Sequence, residues 1–118
     1  KMLEKQKVDI TAPARKQDKK QMMDNGLLVI DLHATELLDT TAGMSHADIL
    51  NYQLDVFRKT LEEFKKKKGM KIIFIHGKGD GVLRNAVVHE LRYRYKSYTY
   101  QDASFQEYGY GATQVTIH

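Results

Sequence analysis

Residues 76–81 read HGKGDG, a glycine-rich segment that directly follows a short apolar run. Its glycines are Gly77, Gly79 and Gly81. Glycine lacks a Cβ atom and tolerates left-handed backbone, so the segment can approach a ligand closely, and a helix that starts after it offers unpaired N–H groups to an anion. Lys78 adds a positive charge, and Arg84 falls in the first turn of that helix. The segment therefore predicts a phosphate-binding loop, and a tight turn with a solvated lysine is the alternative.

Two familiar nucleotide-binding motifs do not fit this loop. No string in the chain matches G-x-x-x-x-G-K-[ST], and the glycines form G-x-G-x-G rather than G-x-G-x-x-G. Asp102 lies where a ribose-binding acid would be expected, but four predicted strands are too few for a dinucleotide-binding domain. Both nucleotide interpretations are therefore rejected.

Asp31 and His33 stand two residues apart at the end of an apolar run, so in a strand their side chains share a face. Together with His76, they have the residue types for acid–base catalysis of phosphodiester cleavage. Asp31 can also orient a histidine or hold a divalent ion, although no spacing as specific as H-E-x-x-H is present. The alternatives are a loop-capping aspartate and a histidine that hydrogen-bonds the backbone.

Cations alternate with aromatic residues in residues 92–100, which read RYRYKSYTY. In nucleic-acid-binding proteins such cations contact phosphates and such rings stack on bases. Tyr98 and Tyr100 share one face of a predicted strand, where they form a stacking platform if the face is open and core packing if it is covered. The four lysines at residues 65–68 are interpreted instead as a solvated helix end.

The hydrophobic pattern predicts the element order β-α-β-α-β-β. The predicted strands cover residues 27–33, 71–76, 97–102 and 112–117. Ser45 and Asp48 have the spacing of a capping box at the start of the first helix, and Gly69 is the predicted stop, which places residues 65–68 in the last turn. The second helix is predicted to begin near Val82. The apolar stripes of the two helices are Leu50, Leu54, Phe57, Leu61 and Phe64, and then Leu83, Val87 and Leu91.

Strand directions follow from this order. Right-handed crossovers make the first three predicted strands parallel, and the last strand runs back antiparallel to the third. The carboxyl ends of the parallel strands and the beginning of the last strand then meet at one end of the sheet, where open α/β sheets bind ligands. We therefore expect His33, residues 76–81 and residues 109–113 to converge.

Composition sets the limits of these interpretations. The 118 residues suffice for one compact domain, and 42% hydrophobic with 29% charged residues is typical of a soluble globular protein. The apolar runs are too short to span a bilayer, and the N-terminus has no signal-peptide pattern. Without cysteine, disulfides, thiolate zinc sites and cysteine nucleophiles are excluded. These features predict a cytoplasmic protein with no membrane partner.

The positive charge is concentrated at the N-terminus. Of the net charge of +4, residues 1–25 carry +3, and they show no sustained helical or strand period. We interpret residues 1–25 as a largely flexible basic linker or arm, and residues 26–118 as the folded domain. Because the first residue is Lys1 rather than methionine, the chain is predicted to be part of a longer protein.

Three segments resemble the motifs of the Smr (small MutS-related) domain family. They read IDLH at residues 30–33, HGKGDGVLR at residues 76–84 and GYGAT at residues 109–113. The second match is specific, and the three together, in order and at family-like spacing, make the resemblance cover residues 27–118. Other segments resemble a Bacteroidetes subgroup in which a domain of unknown function precedes the Smr domain.

The resemblance implies a two-layer α/β sandwich with a four-stranded mixed sheet and two helices, similar to the C-terminal domain of bacterial translation initiation factor three. It also implies nucleic-acid binding, with DNA nicking or RNA cleavage as an endonuclease activity. By match to the motifs, Asp31 and His33 lie in the segment tied to cleavage, and His76 lies in the substrate-binding loop. Together with the acid–base argument above, the predicted catalytic residues are Asp31, His33 and His76. The nucleic-acid-binding residues are Gly77, Lys78, Gly79, Gly81, Arg84, Gly109, Gly111 and Thr113. A divalent cation, Mg²⁺ or Mn²⁺, and the oligomeric state stay open.

One residue departs from the family pattern. The usual DLHG ends here in Ala34, and alanine tolerates a positive φ poorly, so the loop that carries His33 is expected to be altered. The leading hypothesis is a nucleic-acid-binding domain with endonuclease activity. The alternative is a non-catalytic module of a larger protein that binds nucleic acid or docks a protein partner.

Overall fold

In a computed structural model of the chain, two helices pack on one face of a mixed five-stranded sheet. The structure describes residues 21–22, 27–77, 79–103 and 111–118. The strands are β1 (Gln21–Met22), β2 (Leu27–Asp31), β3 (Lys71–Ile75), β4 (Thr99–Asp102) and β5 (Ala112–Thr116). The helices are α1 (Ala34–Leu37), α2 (His46–Glu63) and α3 (Val82–Tyr93). The predicted α/β class is confirmed.

The strand order across the sheet is β1-β2-β3-β5-β4. β2 and β3 are parallel, and β5 runs antiparallel to both of its neighbours, so β4 points in the same direction as β3. The predicted strand directions are therefore confirmed. Pairing of Ile75 with Asp31 on one side and with Ala112 on the other brings the carboxyl ends of β2 and β3 and the start of β5 to one end of the sheet. That end, which also includes Asp102 at the end of β4, is called the site end.

The core lies between the sheet and the helices. Alternate residues of β2 face α2 and α3, and the stripes predicted for both helices are buried or packed against them. Phe57 of α2 meets Phe74 of β3 edge to face, with ring centroids 4.7 Å apart. A smaller apolar cluster around Ile73 and Ile75 lies on the opposite face of the sheet. This packing fixes the position of the site end, because the buried strands that lead into it cannot slide.

Three local features differ from the sequence-based expectation. Gln21–Met22 of the predicted arm pairs with β2 as an edge strand, although two residues carry no strand period. His33 follows β2 instead of belonging to it, because the chain turns there into α1. The predicted stop of the first helix at Gly69 is wrong. The helix ends at Glu63, because the backbone of Phe64 leaves the helical region (φ −108°, ψ 14°), and residues 64–69 then turn towards β3.

The start of α2 is as predicted. The Ser45 hydroxyl accepts a hydrogen bond from the Asp48 N–H, and the Asp48 carboxylate accepts one from the Ser45 N–H, both at 3.0 Å. This capping box directs the chain from α1 back across the sheet. Among the helices that the structure describes, none is long and apolar enough to cross a membrane.

Candidate functional site

Asp31 and His33 form a hydrogen-bonded pair at the end of β2. Oδ1 of Asp31 lies 2.7 Å from Nδ1 of His33 and also accepts a bond from the His33 backbone N–H at 2.9 Å. A carboxylate only accepts, so Nδ1 carries the hydrogen and the neutral ring presents an acceptor nitrogen at Nε2. Both side chains are partly exposed, at 29% and 37%. The pair can therefore hold one tautomer of a solvent-accessible imidazole.

Ala34 does not disturb the loop that carries His33. It is the first residue of α1, for which His33 is the N-cap. Alanine is the most favourable residue in helical backbone. The position therefore requires no positive φ, and the backbone strain expected from this departure from the family pattern does not arise at Ala34.

Gly77 and Gly111 allow the predicted segments to touch. Gly77 has φ +82°, and a Cβ atom built on it would lie 2.7 Å from Nε2 of His33. A Cβ atom on Gly111 would lie 2.6 Å from the carbonyl oxygen of Gly77. The Gly111 carbonyl accepts hydrogen bonds from the N–H groups of His76 at 3.1 Å and Gly77 at 3.0 Å. The convergence predicted from strand direction is thus a set of direct contacts, and both contact points require glycine.

His76 is held from both sides. Its Nδ1 lies 3.0 Å from the carbonyl oxygen of Gly77, and its Nε2 lies 2.9 Å from Oγ1 of Thr113. The carbonyl oxygen only accepts, so Nδ1 donates, and the Thr113 hydroxyl donates to Nε2 when the ring is neutral. His76 and Thr113 are 7% and 3% exposed. The ring therefore fastens the glycine loop to β5.

Burial lowers the pKa of His76 below its usual value of 6.5. The bond to the Gly77 carbonyl works in the opposite direction, as does the nearby Asp102 carboxylate, while Arg84 and His33 lower the pKa further. Neutral His76 is thus the form that the fold favours at pH 7. The charges of Arg84 and Asp102 thus lie close enough to His76 to influence its pKa. Asp102, which the sequence places only in the rejected nucleotide motif, ends β4 at the site end.

The start of α3 presents an anion-binding position. Gly81 is the N-cap with φ +83° and provides no side-chain cap. The Asp80 carboxylate accepts a hydrogen bond from the Val82 N–H at 3.1 Å, which shows an anionic group already placed at this helix start. Arg84 is exposed in the first turn. A phosphate at this end would meet helix N–H groups and one guanidinium.

The other predicted residues are distributed as follows. Gly79, with φ +32°, lies in the turn between Gly77 and Gly81, and a Cβ atom built on it would meet nothing within 4 Å. Lys78 and Gly109 lie outside the described residues, as does most of the predicted arm. The predicted site thus converges in Asp31, His33, Gly77, Gly111, His76, Thr113 and Arg84, as far as the described residues go.

Tyr98 and Tyr100 do not form an open platform. Both are half-buried and pack against the core. Tyr98 stacks on Tyr95 with ring centroids 5.7 Å apart, and the Tyr100 hydroxyl accepts a hydrogen bond from Nε of Arg92 at 3.2 Å. Of the two alternatives, the structure supports core packing.

Within the described residues, no group of three or more His, Asp or Glu side chains is arranged to hold a metal ion. Asp31 and His33 bond to each other, and His76 is turned towards Thr113.

Comparison with known proteins gives one family. The sequence model described as Smr domain matches residues 48–118, more than half of the chain. This range contains the glycine loop, Arg84 and Thr113, and it begins after Asp31 and His33. Neither a curated protein nor a solved structure matches the chain.

Proposed function

Because the chain belongs to the Smr domain family, we propose that it binds nucleic acid at the site end and cleaves a phosphodiester bond there. The observation that carries the proposal is the 2.7 Å contact between Asp31 and His33. An imidazole whose tautomer is fixed by a carboxylate is a common general base. In the proposed site this base stands beside a loop suited to phosphate.

The binding step uses the glycine loop and α3. The N–H groups at the start of α3 and the Arg84 guanidinium attract a phosphate, which would displace the Asp80 carboxylate from the Val82 N–H. The geometry that supports this step is the start of α3, where Gly81 has no side chain and a carboxylate already accepts a hydrogen bond from the Val82 N–H. Binding of a diester thus needs only a few charges, although the folded part of the chain is nearly neutral.

The chemical step uses Nε2 of His33. This nitrogen takes a proton from the attacking oxygen, which is water for DNA and either water or the ribose 2′-hydroxyl for RNA. The attacking oxygen forms a bond to phosphorus, the P–O bond to the leaving nucleoside oxygen breaks, and that oxygen takes a proton from solvent. Asp31 stabilises the imidazolium that forms. General-base catalysis of this kind typically contributes about 10²–10⁴-fold.

His76, predicted as catalytic from its residue type opposite Asp31 and His33, is proposed to act as a positioning residue. Both ring nitrogens are engaged and the ring is buried, so the geometry suits holding the loop rather than moving a proton. Through its bonds to Gly77 and Thr113, it keeps Gly77 against His33. Loss of His76 would then reduce cleavage by displacing the loop.

The experiment compares three proteins on supercoiled plasmid and on structured RNA. Wild-type chain is expected to cleave at least one substrate, and His33→Gln is expected to lose roughly 100-fold or more in rate while it still binds. His89→Gln removes an exposed histidine of α3 and serves as the matched control with wild-type rate. Cleavage by His33→Gln at the wild-type rate would contradict the assignment.

A second candidate is a binding module without turnover. It is favoured by one observation, that the family match begins after Asp31 and His33. Salt-dependent binding without cleavage of either substrate would select this module, because phosphate contacts release counterions. Absence of binding even at low salt would leave docking of a protein partner. The cytoplasmic location, the domain limits at residue 26, the Bacteroidetes subgroup and the longer parent protein stay predictions.

A further inference from the structure

Charges are divided between the two ends of the sheet. Acidic residues gather at the site end and on the segments that follow β2 there, namely Asp31, Glu36, Asp39, Asp48, Asp80 and Asp102. Among the described residues Arg84 is the basic residue at that end, and Lys78 adjoins it in the loop sequence. The end that we expect to meet phosphate is therefore poor in positive charge.

The opposite end of the molecule is strongly basic. We call it the basic end, and its residues are Lys65, Lys66, Lys67, Lys68, Lys71, Arg92, Arg94 and Lys96, all exposed. Both helices run from the site end to this end, because each connects the carboxyl end of a parallel strand to the start of the next. Nζ of Lys68 lies 3.2 Å from the carbonyl oxygen of His118, and Lys71 pairs with Thr116. Thr116 also pairs with Thr99, which follows residues 92–96. The cations of residues 65–71 and those of residues 92–96 therefore lie at the same end of the sheet.

Only some of the cations at the basic end form ion pairs or hydrogen bonds within the chain. Lys65 pairs with Glu62 at 3.2 Å, and Arg94 lies 3.4 Å from Glu90. Nε of Arg92 donates to the neutral Tyr100 hydroxyl. The side chains of Lys66, Lys67 and Lys96 form no ion pair or hydrogen bond with any residue that the structure describes.

The lysines at residues 65–68 do not compensate the dipole of α2. Positive side chains stabilise a helix when they lie in its last turn, but the last turn of α2 contains none. Residues 65–68 follow the helix in turns and are exposed. The charges of Lys66 and Lys67 are therefore available to an anionic partner.

We propose that the basic end is a second phosphate-contacting surface for the nucleic acid that the site end binds. This inference rests on the proposed function and adds the direction in which the polymer extends. The twelve residues of α3 separate the two ends by about 18 Å at 1.5 Å per residue. Duplex rises about 3.4 Å per base step, so a duplex that contacts both ends extends roughly five base pairs from the cleaved bond.

The test measures the salt dependence of binding to a labelled duplex, and to RNA if RNA is the substrate cleaved. The triple variant Lys66→Gln/Lys67→Gln/Lys96→Gln is expected to lower the slope of log K against log salt by about 0.9 for each lost contact, about 2 to 3 in total. Single variants Lys67→Gln and Lys59→Gln remove the same charge from the basic end and from an exposed position inside α2, four residues before the helix ends. Only Lys67→Gln should change the slope. Thermal unfolding of each variant checks that the fold is retained.

Substrate length provides a second readout. Wild-type affinity should rise as the duplex is extended past roughly five base pairs from the site end, and the triple variant should lose that rise. An unchanged slope in the triple variant, with wild-type protein bound normally, would overturn the proposal and leave the proposed function intact. Failure of wild-type protein to bind any nucleic acid would overturn both.

An anionic lipid surface is the other polyanion that fits these lysines. Vesicles that contain phosphatidylserine distinguish it from nucleic acid. Loss of vesicle binding by the triple variant, together with an unchanged slope on nucleic acid, would assign the basic end to a membrane surface and overturn the proposal. The expected result is a changed slope on nucleic acid with no selective loss on vesicles.

Discussion

The position that a Cβ atom of Gly77 would occupy lies 2.7 Å from Nε2 of His33. The backbone of the glycine loop therefore contacts the His33 ring at the place that a side chain of residue 77 would occupy. Gly77 also has φ +82°, so two separate requirements for glycine coincide at this residue. In the proposed mechanism, this proximity of the loop to the imidazole would put a bound phosphate beside His33.

Gly77→Ala is expected to lower both stability and cleavage. The positive φ costs roughly 1–2 kcal/mol for any side chain, and the clash adds about 1–3 kcal/mol or displaces His33. Gly43→Ala is the matched control, because Gly43 has φ +81° with nothing within 4 Å of its Cβ position. Denaturant unfolding and cleavage rates of both variants give the measurement. Equal effects of the two on cleavage would show that the contact with His33 is not required.

Asp31→Asn is expected to reduce cleavage by roughly 10²–10⁴-fold with little loss of binding. The amide no longer fixes the hydrogen on Nδ1 of His33, and it stabilises an imidazolium less than a carboxylate does. Asp39→Asn removes the same charge from an exposed position that follows α1 and should keep the wild-type rate. The measurement is single-turnover cleavage at saturating protein. A wild-type rate for Asp31→Asn would show that the hydrogen-bonded pair of Asp31 and His33 is not needed for cleavage.

Much of the fold could be predicted because its signals are local. The apolar run that contains β2, the capping box at Ser45 and the stripe of α3 each depend on residues close together in sequence. Parallel direction followed from the helix between the strands. β1 and α1 were missed because elements of two and four residues have no measurable period. The end of α2 at Glu63 was missed because the lysines of residues 65–68 favour helical backbone and Gly69 is the first local stop signal after them.

The sequence could predict which chain segments come together in the candidate site. It could not predict which of their side chains form hydrogen bonds. Strand direction brings His76 and Thr113 together, but the hydrogen bond between them depends on the register of β3 and β5. The contact of Gly111 with Gly77 depends on that register too. A one-residue slip would reverse the faces of a strand, so residue types alone cannot specify which side chains bond.

Glu90 is expected to stabilise the fold in a pH-dependent way. Its carboxylate accepts a hydrogen bond from Nε of Arg58 at 2.8 Å, and this bond, with the charge of Arg58, holds the pKa of Glu90 below its usual 4.5. The stabilisation is complete above pH 4.5 and is lost as pH falls through the lower pKa of the folded state. Glu90→Gln should cost about 1–3 kcal/mol at pH 7 and flatten the acid limb. Glu62→Gln removes a carboxylate from an exposed ion pair and should change the free energy of unfolding little. Acid unfolding of wild type, Glu90→Gln and Glu62→Gln measures the difference.

Thr113→Val is expected to destabilise the chain by about 1–3 kcal/mol, because Nε2 of buried His76 loses its donor. Valine matches threonine in shape, so packing changes little. Thr116→Val, on the same strand but half-buried, is the control and should cost less. Urea unfolding measures both variants. Equal losses would mean that the hydroxyl of Thr113 contributes no more than an ordinary strand threonine.

His76 should make the stability of the protein fall in mild acid. Burial lowers its pKa below 6.5 in the folded state, whereas the unfolded chain takes up a proton near that value. The stabilisation that neutral His76 provides is therefore complete above pH 6.5 and decreases as pH falls towards the folded pKa, because the unfolded state then binds more protons. Protonation would also turn Nε2 into a donor and break its acceptance from Thr113. Unfolding free energies measured through this range should have a shallower pH slope in His76→Gln, whatever its absolute stability, while His89→Gln should retain the wild-type slope. If His76→Gln kept that slope as well, the acid sensitivity would have to come from other groups.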